Sequence, residues 1–301
     1  MRKLIVLGVV GLIAQLIDGS LGMAYGVTSS TLLLAAGVAP AAASAAVHFS
    51  ELGTSLVSGA SHHKFGNVDW RTVSILALPG FVGAFLGATL LSNMDAAVAK
   101  PVVAVILLSL GFYVVYRFLR LGGERPTFKG HPSAMFLAPM GLVAGTLDAV
   151  GGGGWGPVGT TSLLSSGRLE PRKVVGSIDT SEFVVAVGAS LGFLFGLGSA
   201  GINWGYAGAL LAGGVIAAPI AAWLVKHLAA RVLGVAAGGL IILTNSKTLL
   251  EAVGVPGVGV AVAAALIFVL WISGIVWAVK QERLSKAAAR VDESELETAT
   301  A

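Results

Sequence analysis

Apolar residues in this chain gather into runs, all but one of about 20 or more, bounded by Gly, Pro, Asn and Asp. This is the pattern of helices that face lipid, not of amphipathic soluble ones. Nine runs stand out, at residues 4–37, 40–59, 70–91, 96–119, 134–167, 174–197, 204–225, 232–246 and 255–279. Two of them, 4–37 and 134–167, are too long for an ordinary span: a continuous helix over either would reach about 50 Å, against a hydrocarbon core of about 30 Å. Each is interrupted inside. The second holds Gly151, Gly152, Gly153 and Gly154 in succession, which no straight helix accommodates cheaply, and the first holds Gly22 and Gly26 just after Asp18.

The two interruptions are copies. At an offset of 130 positions, Gly11, Leu12, Ala14, Asp18, Gly22, Gly26 and Thr31 recur as Gly141, Leu142, Ala144, Asp148, Gly152, Gly156 and Thr161. One inserted residue later, Pro40, Ser50 and Glu51 recur as Pro171, Ser181 and Glu182. Arg2 and Lys3 before an apolar run imitate a signal peptide, but recurrence of that run in mid-chain makes it part of the fold. The expected architecture is an all-α polytopic membrane protein of two inverted repeats, each a broken, re-entrant helical hairpin plus about three transmembrane helices, with an extra C-terminal helix. Its divisions are a first repeat at 1–120, a basic cytoplasmic linker at 121–133, a second repeat at 134–252, a C-terminal transmembrane helix at 253–280 and a polar cytoplasmic tail at 281–301.

Composition agrees with a multi-pass protein of the cell membrane: of 301 residues 55% are hydrophobic and 11% charged, with a mean hydropathy of +0.88. The net charge of +4 resides in loops between apolar runs, so no nucleic-acid partner is expected. The absence of cysteine removes disulfides, thiolate metal sites and thiol chemistry. Charge also decides between a full crossing and a re-entrant hairpin. If both broken runs cross, the 19 Lys and Arg residues divide nearly evenly; if both turn back, only Arg2, Lys3, Lys100 and Lys247 lie opposite the other fifteen. The second arrangement obeys the positive-inside rule. Its half-helices would be roughly 10–14 residues long, with their tips meeting from opposite sides near mid-depth.

Five acids, Asp18, Glu51, Asp148, Asp179 and Glu182, lie inside apolar runs, where an ionisable group needs a partner, a proton or a water-filled cavity. Asp18 and Asp148 precede the interruptions and can cap the backbone N–H groups freed there. Glu51 and Glu182 lie in uninterrupted runs, each three residues after a polar partner on the same helical face, His48 or Asp179. They suit proton handling or a structural hydrogen bond between helices. After each interruption the chain restarts through hydroxyls, Ser29 and Ser30 in one copy and Thr160 and Thr161 in the other. A helix N-terminus with hydroxyls and the amides of Gly151–Gly154, or of Gly22 and Gly26, forms an anion site; the same small residues also permit close helix packing. His62 and His63 read as loop residues, and no metal or other cofactor is expected. The glycine run lacks a following Gly-Lys-Ser/Thr and is no nucleotide loop.

Two copies of Asp-x3-Gly-x3-Gly, each followed by a hydroxyl cluster and then a Ser-Glu helix, resemble the sulfite exporter TauE/SafE family of membrane permeases. The more diagnostic copy is Asp148-Ala-Val-Gly-Gly-Gly-Gly-Trp-Gly-Pro157; in the first, Gly-Ser-Leu-Gly-Met replaces the glycine run. The resemblance covers roughly residues 4–250 and implies transport, in many members export, of a small sulfur-containing anion such as sulfite or a sulfonate. The expected partners are that anion and the bilayer, with a homo-oligomer left open, and the expected mechanism is two halves rocking about a central site. A divalent-cation permease using the acids as ligands, or a permease for another small solute, is the alternative within transport. A membrane-embedded enzyme or assembly subunit is the alternative outside it, disfavoured because no nucleophile–base pair is present.

Overall fold

The computed structural model describes every residue except 1, 22, 24, 121–129, 170, 225–229 and 301. The described residues form eleven α-helices and no strand: α1 (Arg2–Leu21), α2 (Tyr25–Ala35), α3 (Pro40–Lys64), α4 (Trp70–Ser92), α5 (Ala96–Leu119), α6 (Ala134–Gly151), α7 (Trp155–Ser166), α8 (Pro171–Leu197), α9 (Trp204–Leu224), α10 (Ala230–Ala252) and α11 (Gly257–Thr300). Among these residues, α4, α5, α6, most of α8 and the first part of α11 are each long and apolar enough to cross a membrane.

Both long runs break where the glycines fall, giving α1–α2 and α6–α7. Their arms are unequal, which corrects the expected pair of half-helices. The first arms have 20 and 18 residues and the second arms 11 and 12, so each first arm alone is nearly as long as the hydrocarbon core is thick. Between Arg2 and Asp18 only the isolated Gly8 and Gly11 oppose helix formation, too little to end it, and the chain stays helical until the break. α11 likewise runs through the polar tail as one 44-residue helix, because residues 281–300 are rich in Ala, Glu, Lys and Arg and contain no Gly or Pro.

Glycine faces determine which helices touch. A Cβ on Gly83 would lie 2.1 Å from Leu142 O, and one on Gly145 would lie 2.2 Å from Gly80 O, so α4 and α6 are in backbone contact along small-residue stripes. The pairing of Gly83 with Leu142 and of Gly87 with Thr146 makes these two helices parallel. Gly188 against Phe81 and Gly192 against Phe85 place α8 parallel to α4 on another face. Gly8 against Ala209 and Gly213 against Leu12 make α1 parallel to α9, and Gly53 against Leu211 with Phe49 against Trp204 makes α3 parallel to α9. α3 and α8 are antiparallel, since His48 stacks on Phe193 while Gly59 meets Thr180. α1, α3 and α9 therefore point one way and α4, α6 and α8 the other.

Because α1 and α3 point the same way, the chain turns back through α2; α7 does the same between α6 and α8. The first helix of each sequence half packs on the fourth of the other half, α1 on α9 and α6 on α4. The two halves interlock and are not two separate bodies, so any moving body must combine helices from both. At one end of the bundle, Lys173 Nζ donates to Val68 O at 3.1 Å, Ser177 Oγ accepts from Asp69 N at 2.8 Å, and His131 Nδ1 lies 3.1 Å from Asp69 Oδ2. These contacts gather the basic loops after α3, before α6 and before α8 on one side.

Candidate functional site

Each interruption is closed by the acid four residues before it. Asp148 Oδ1 accepts the amide hydrogens of Gly154 at 2.6 Å and Trp155 at 2.9 Å, and Asp148 O accepts that of Gly153 at 3.0 Å. Asp18 Oδ1 accepts the Tyr25 amide hydrogen at 3.0 Å in the equivalent place. Both acids thus cap the helix that restarts beyond the break, with the carboxylate at the positive end of the helix dipole. The turn itself needs glycine: Gly152 ends α6 with φ 69°, a left-handed conformation costly for a residue with a side chain.

The tips of the two breaks touch. A Cβ on Gly26 would lie 2.5 Å from Gly152 O, and one on Gly153 would lie 2.0 Å from Val27 N; Ser30 Oγ donates to Gly152 O at 2.8 Å. The first turn of α2 therefore rests on the glycine run of the second break. This is the close-packing use of small residues, and it leaves the amides of Gly153 and Gly154 engaged within the chain. Gly151 is the last residue of α6, and Gly22 lies outside the described residues. Ser29, Ser30, Thr160 and Thr161 are fully buried one turn behind the tips; Thr161 Oγ1 donates to Pro157 O.

Beside the tips lie two adjoining cavities of about 10 Å³ each, room for a single water molecule. Asp18, Tyr25, Asp179 and Glu182 line both. The first is also walled by Gly26, Val27, Asp148, Gly153, Gly156 and Pro157, with the apolar Met23 and Ile178, and the second by Gln15, Glu51, Thr54, Ser55 and Ser58. The five acids singled out in the sequence, from α1, α3, α6 and α8, thus meet in one place. Among the described residues no Lys or Arg lines either cavity, whereas the N-terminal turns of α2 and α7 face the first.

The acids divide into two groups related by the repeat. His48, Glu51 and Asp148 form the first: His48 Nδ1 lies 2.8 Å from Glu51 Oε2 and 3.8 Å from Asp148 Oδ2, and all three side chains are at most 2% exposed. One ligand atom from each lies within 4.8 Å of the others, so this set has the chemistry to hold a metal ion. Asp179, Glu182 and Asp18 occupy the equivalent positions. Glu182 Oε2 accepts from Ser55 Oγ at 3.2 Å, and Asp179 Oδ2 accepts from Ser58 Oγ at 2.8 Å.

Two residues of this surrounding escape a reading of the sequence. His62 is not in a loop but in the last turn of α3, with Nε2 3.2 Å from Asp179 Oδ2. Its spacing was the available signal, since Glu51, Ser55, Ser58 and His62 follow the 4-3-4 period of a single helix face. Tyr25 carries no such signal. Its hydroxyl shares a 2.9 Å hydrogen bond with Ser50 Oγ, a contact between residues 25 apart.

The sulfite exporter TauE/SafE family profile matches residues 7–248, which takes in both breaks and all five acids. The chain belongs to this family. It is 55% identical over 252 residues to "Probable membrane transporter protein YtnM" of Bacillus subtilis (strain 168), an alignment covering 83% of this chain and 84% of that protein. No solved structure matches the chain. As a TauE/SafE protein it is a multi-pass membrane transporter and not an enzyme.

Proposed function

We propose that this TauE/SafE protein is a secondary transporter that exports a small sulfur-containing oxyanion, such as sulfite or a sulfonate, together with protons. The observation that carries this reading is a cavity faced at once by two helix N-termini and by Asp18, Asp148, Asp179 and Glu182. Positive helix ends favour an anion, by roughly 0.3–2 kcal/mol each. Neighbouring carboxylates oppose it, so the anion enters only when protons occupy some of them. Binding of anion and proton then become one event, the requirement for coupling.

With room for one water, the cavity is in a closed state, and an oxyanion enters only when the tips separate. Separation would also free the amides of Gly153 and Gly154 and expose the hydroxyls of Ser29, Ser30, Thr160 and Thr161 to a ligand. The opposed directions of α1 and α6 support inverted repeats at 1–120 and 134–252, and the basic end supports their orientation with that end in the cytoplasm. The concentration of carboxyls favours one second reading, a divalent-cation permease.

One measurement separates the two readings: solid-supported-membrane currents from proteoliposomes given sulfite, sulfate, thiosulfate, a sulfonate or Mn²⁺. The proposal expects current with sulfite or a sulfonate that grows as the pH falls, and loss of this pH dependence in Glu182→Gln. Current with Mn²⁺ alone would establish the second reading, and a pH-independent oxyanion current would remove the protons from the first.

A further inference from the structure

His48 presents its two ring nitrogens to different surroundings. Nε2 lies 3.3 Å from Asp148 O, and a carbonyl oxygen only accepts, so Nε2 carries the hydrogen. In the neutral ring this leaves Nδ1 a lone pair, aimed at Glu51 Oε2 and Asp148 Oδ2. Three acceptors then converge in a space closed to solvent. Nδ1 and Oε2 are close enough for a hydrogen bond, but none joins them in alignment, and these three atoms are without a hydrogen-bond donor in the interior. Such an arrangement is repulsive unless a cation occupies it.

We propose that His48 Nδ1, Glu51 Oε2 and Asp148 Oδ2 bind one divalent transition-metal cation, which clamps α3 to the second break. A proton on Nδ1 would serve Glu51 at 2.8 Å and leave Asp148 Oδ2, at 3.8 Å, without a donor; a metal bonds to all three. Tetrahedral ligation at about 2.0–2.2 Å separates donor atoms by roughly 3.3 Å, within the span that these three already cover. One imidazole and two carboxylates select a cation of the Zn²⁺, Mn²⁺ or Co²⁺ class over alkali ions. The Nε2–H to carbonyl bond is the outer contact that usually fixes a metal-binding histidine.

Charge points the same way. Two buried carboxylates carry two negative charges, and the α7 N-terminus, already bound to Asp148 Oδ1, returns only about half a charge. The repeat-related set has Asp179 in place of His48; its neighbouring nitrogen, His62 Nε2, meets Asp179 from the last turn of α3 without forming a three-ligand cluster among the described residues, and the acids line the cavities instead. The metal site is therefore a feature of one repeat position only.

The test is metal analysis of the full-length protein purified in detergent without chelator. The proposal expects about one metal per chain by mass spectrometry and, after stripping and addition of Co²⁺, a visible d–d absorption band of a site with N and O ligands. His48→Gln and Glu51→Gln should weaken Co²⁺ binding about 100-fold or more, while Glu251→Gln, on the exposed end of α10, leaves it unchanged. The measurement on the parent needs no variant to fold. Less than about 0.1 metal per chain with no Co²⁺ band would mean that protons hold the cluster. Equal Co²⁺ binding by parent and both variants would place the metal elsewhere, and either result overturns the proposal. Transport plays no part in these readouts, so they stand apart from the fate of the oxyanion reading.

Discussion

Asp148 reaches over four glycines to accept the Trp155 amide hydrogen at 2.9 Å, so the residue that ends one helix also starts the next. Asp18 and Tyr25 repeat the relationship 130 positions earlier. An acid inside an apolar run thus has a structural duty before it has any chemical one. Replacing it removes a cap and leaves buried N–H groups unpaired.

Asp18→Ala should therefore destabilise the protein by about 1–2 kcal/mol, and Asp148→Ala by more, since two amides lose their acceptor in a site closed to water. Asp18→Asn should restore most of the loss, because an amide oxygen caps as a carboxylate does. Thermal unfolding in detergent followed by size-exclusion chromatography measures the order. Equal midpoints for Asp18→Ala and the parent would show that the cap carries no weight.

The glycines at the tips make a second prediction, with a control inside the same chain. Gly26→Ala and Gly153→Val should each cost about 3 kcal/mol, the upper end of the overpacking range, because the new atoms would meet the backbone of the other break, which cannot yield as a side-chain tip can. Gly208→Ala meets nothing within 4 Å in the interior of α9 and should stabilise by about 0.5–1 kcal/mol through helix propensity. Expression yield and unfolding midpoint check both signs. A well-folded Gly153→Val would mean that the tips separate readily.

How much of this was legible beforehand follows from the range of the contacts. The 130-residue offset pairs Asp18 with Asp148 and locates both breaks from local composition alone, and Glu51 finds His48 one turn away by helical period. Contacts between distant segments left no such trace. Gly145 reads as a generic small residue until α4 is placed against it, and a glycine run looks the same whether it receives a ligand or another backbone. The even length of the half-helices was an assumption about depth, not a property of any residue. His62 was missed because a histidine pair at the end of an apolar run resembles a loop, and its partner Asp179 lies more than 100 positions away.

Asp69, in the loop between α3 and α4, supplies a test at the basic end. Partial burial pushes its carboxyl up, but hydrogen bonds from Thr72 and the charges of His131 and Lys173 outweigh this and hold it below its usual 3.8. A depressed folded value means that the carboxylate stabilises the fold fully above the unfolded value and that this contribution is lost as pH falls through the folded one. The difference in unfolding midpoint between the parent and Asp69→Ala should thus be fully present at about pH 5 and shrink below about 3.8. At neutral pH the loss of the α4 cap alone should be about 1 kcal/mol. A difference that stayed unchanged well below pH 3.8 would show that the Asp69 charge carries no part of the effect.

The last prediction concerns which ends of the bundle face which compartment. α5 and α10 are antiparallel, with Gly234 against Phe118 and Gly111 against Ile241; α11 is antiparallel to α10, with Trp271 against Gly239 and Val235 against Gly274. α5 and α11 therefore point the same way and deliver Arg120 and Arg283 to one end. Lys64 joins them, because α3 ends beside the loop in which Lys173 and His131 meet residues 68–69. The turns at Asn93 and Ser199 lie at the other end, where Gly196 packs on Ser92. Positive charge is retained in the cytoplasm during insertion, which gives the Lys64 end its side. The parent has no cysteine, so single replacements report without background. On intact cells a membrane-impermeant maleimide should label Asn93→Cys and Ser199→Cys, while Lys64→Cys and Arg283→Cys should label only after permeabilisation. Labelling of Lys64→Cys and Arg283→Cys from opposite faces would contradict the helix directions themselves, whereas a uniform reversal of all four would leave the directions intact and turn the whole protein over in the membrane.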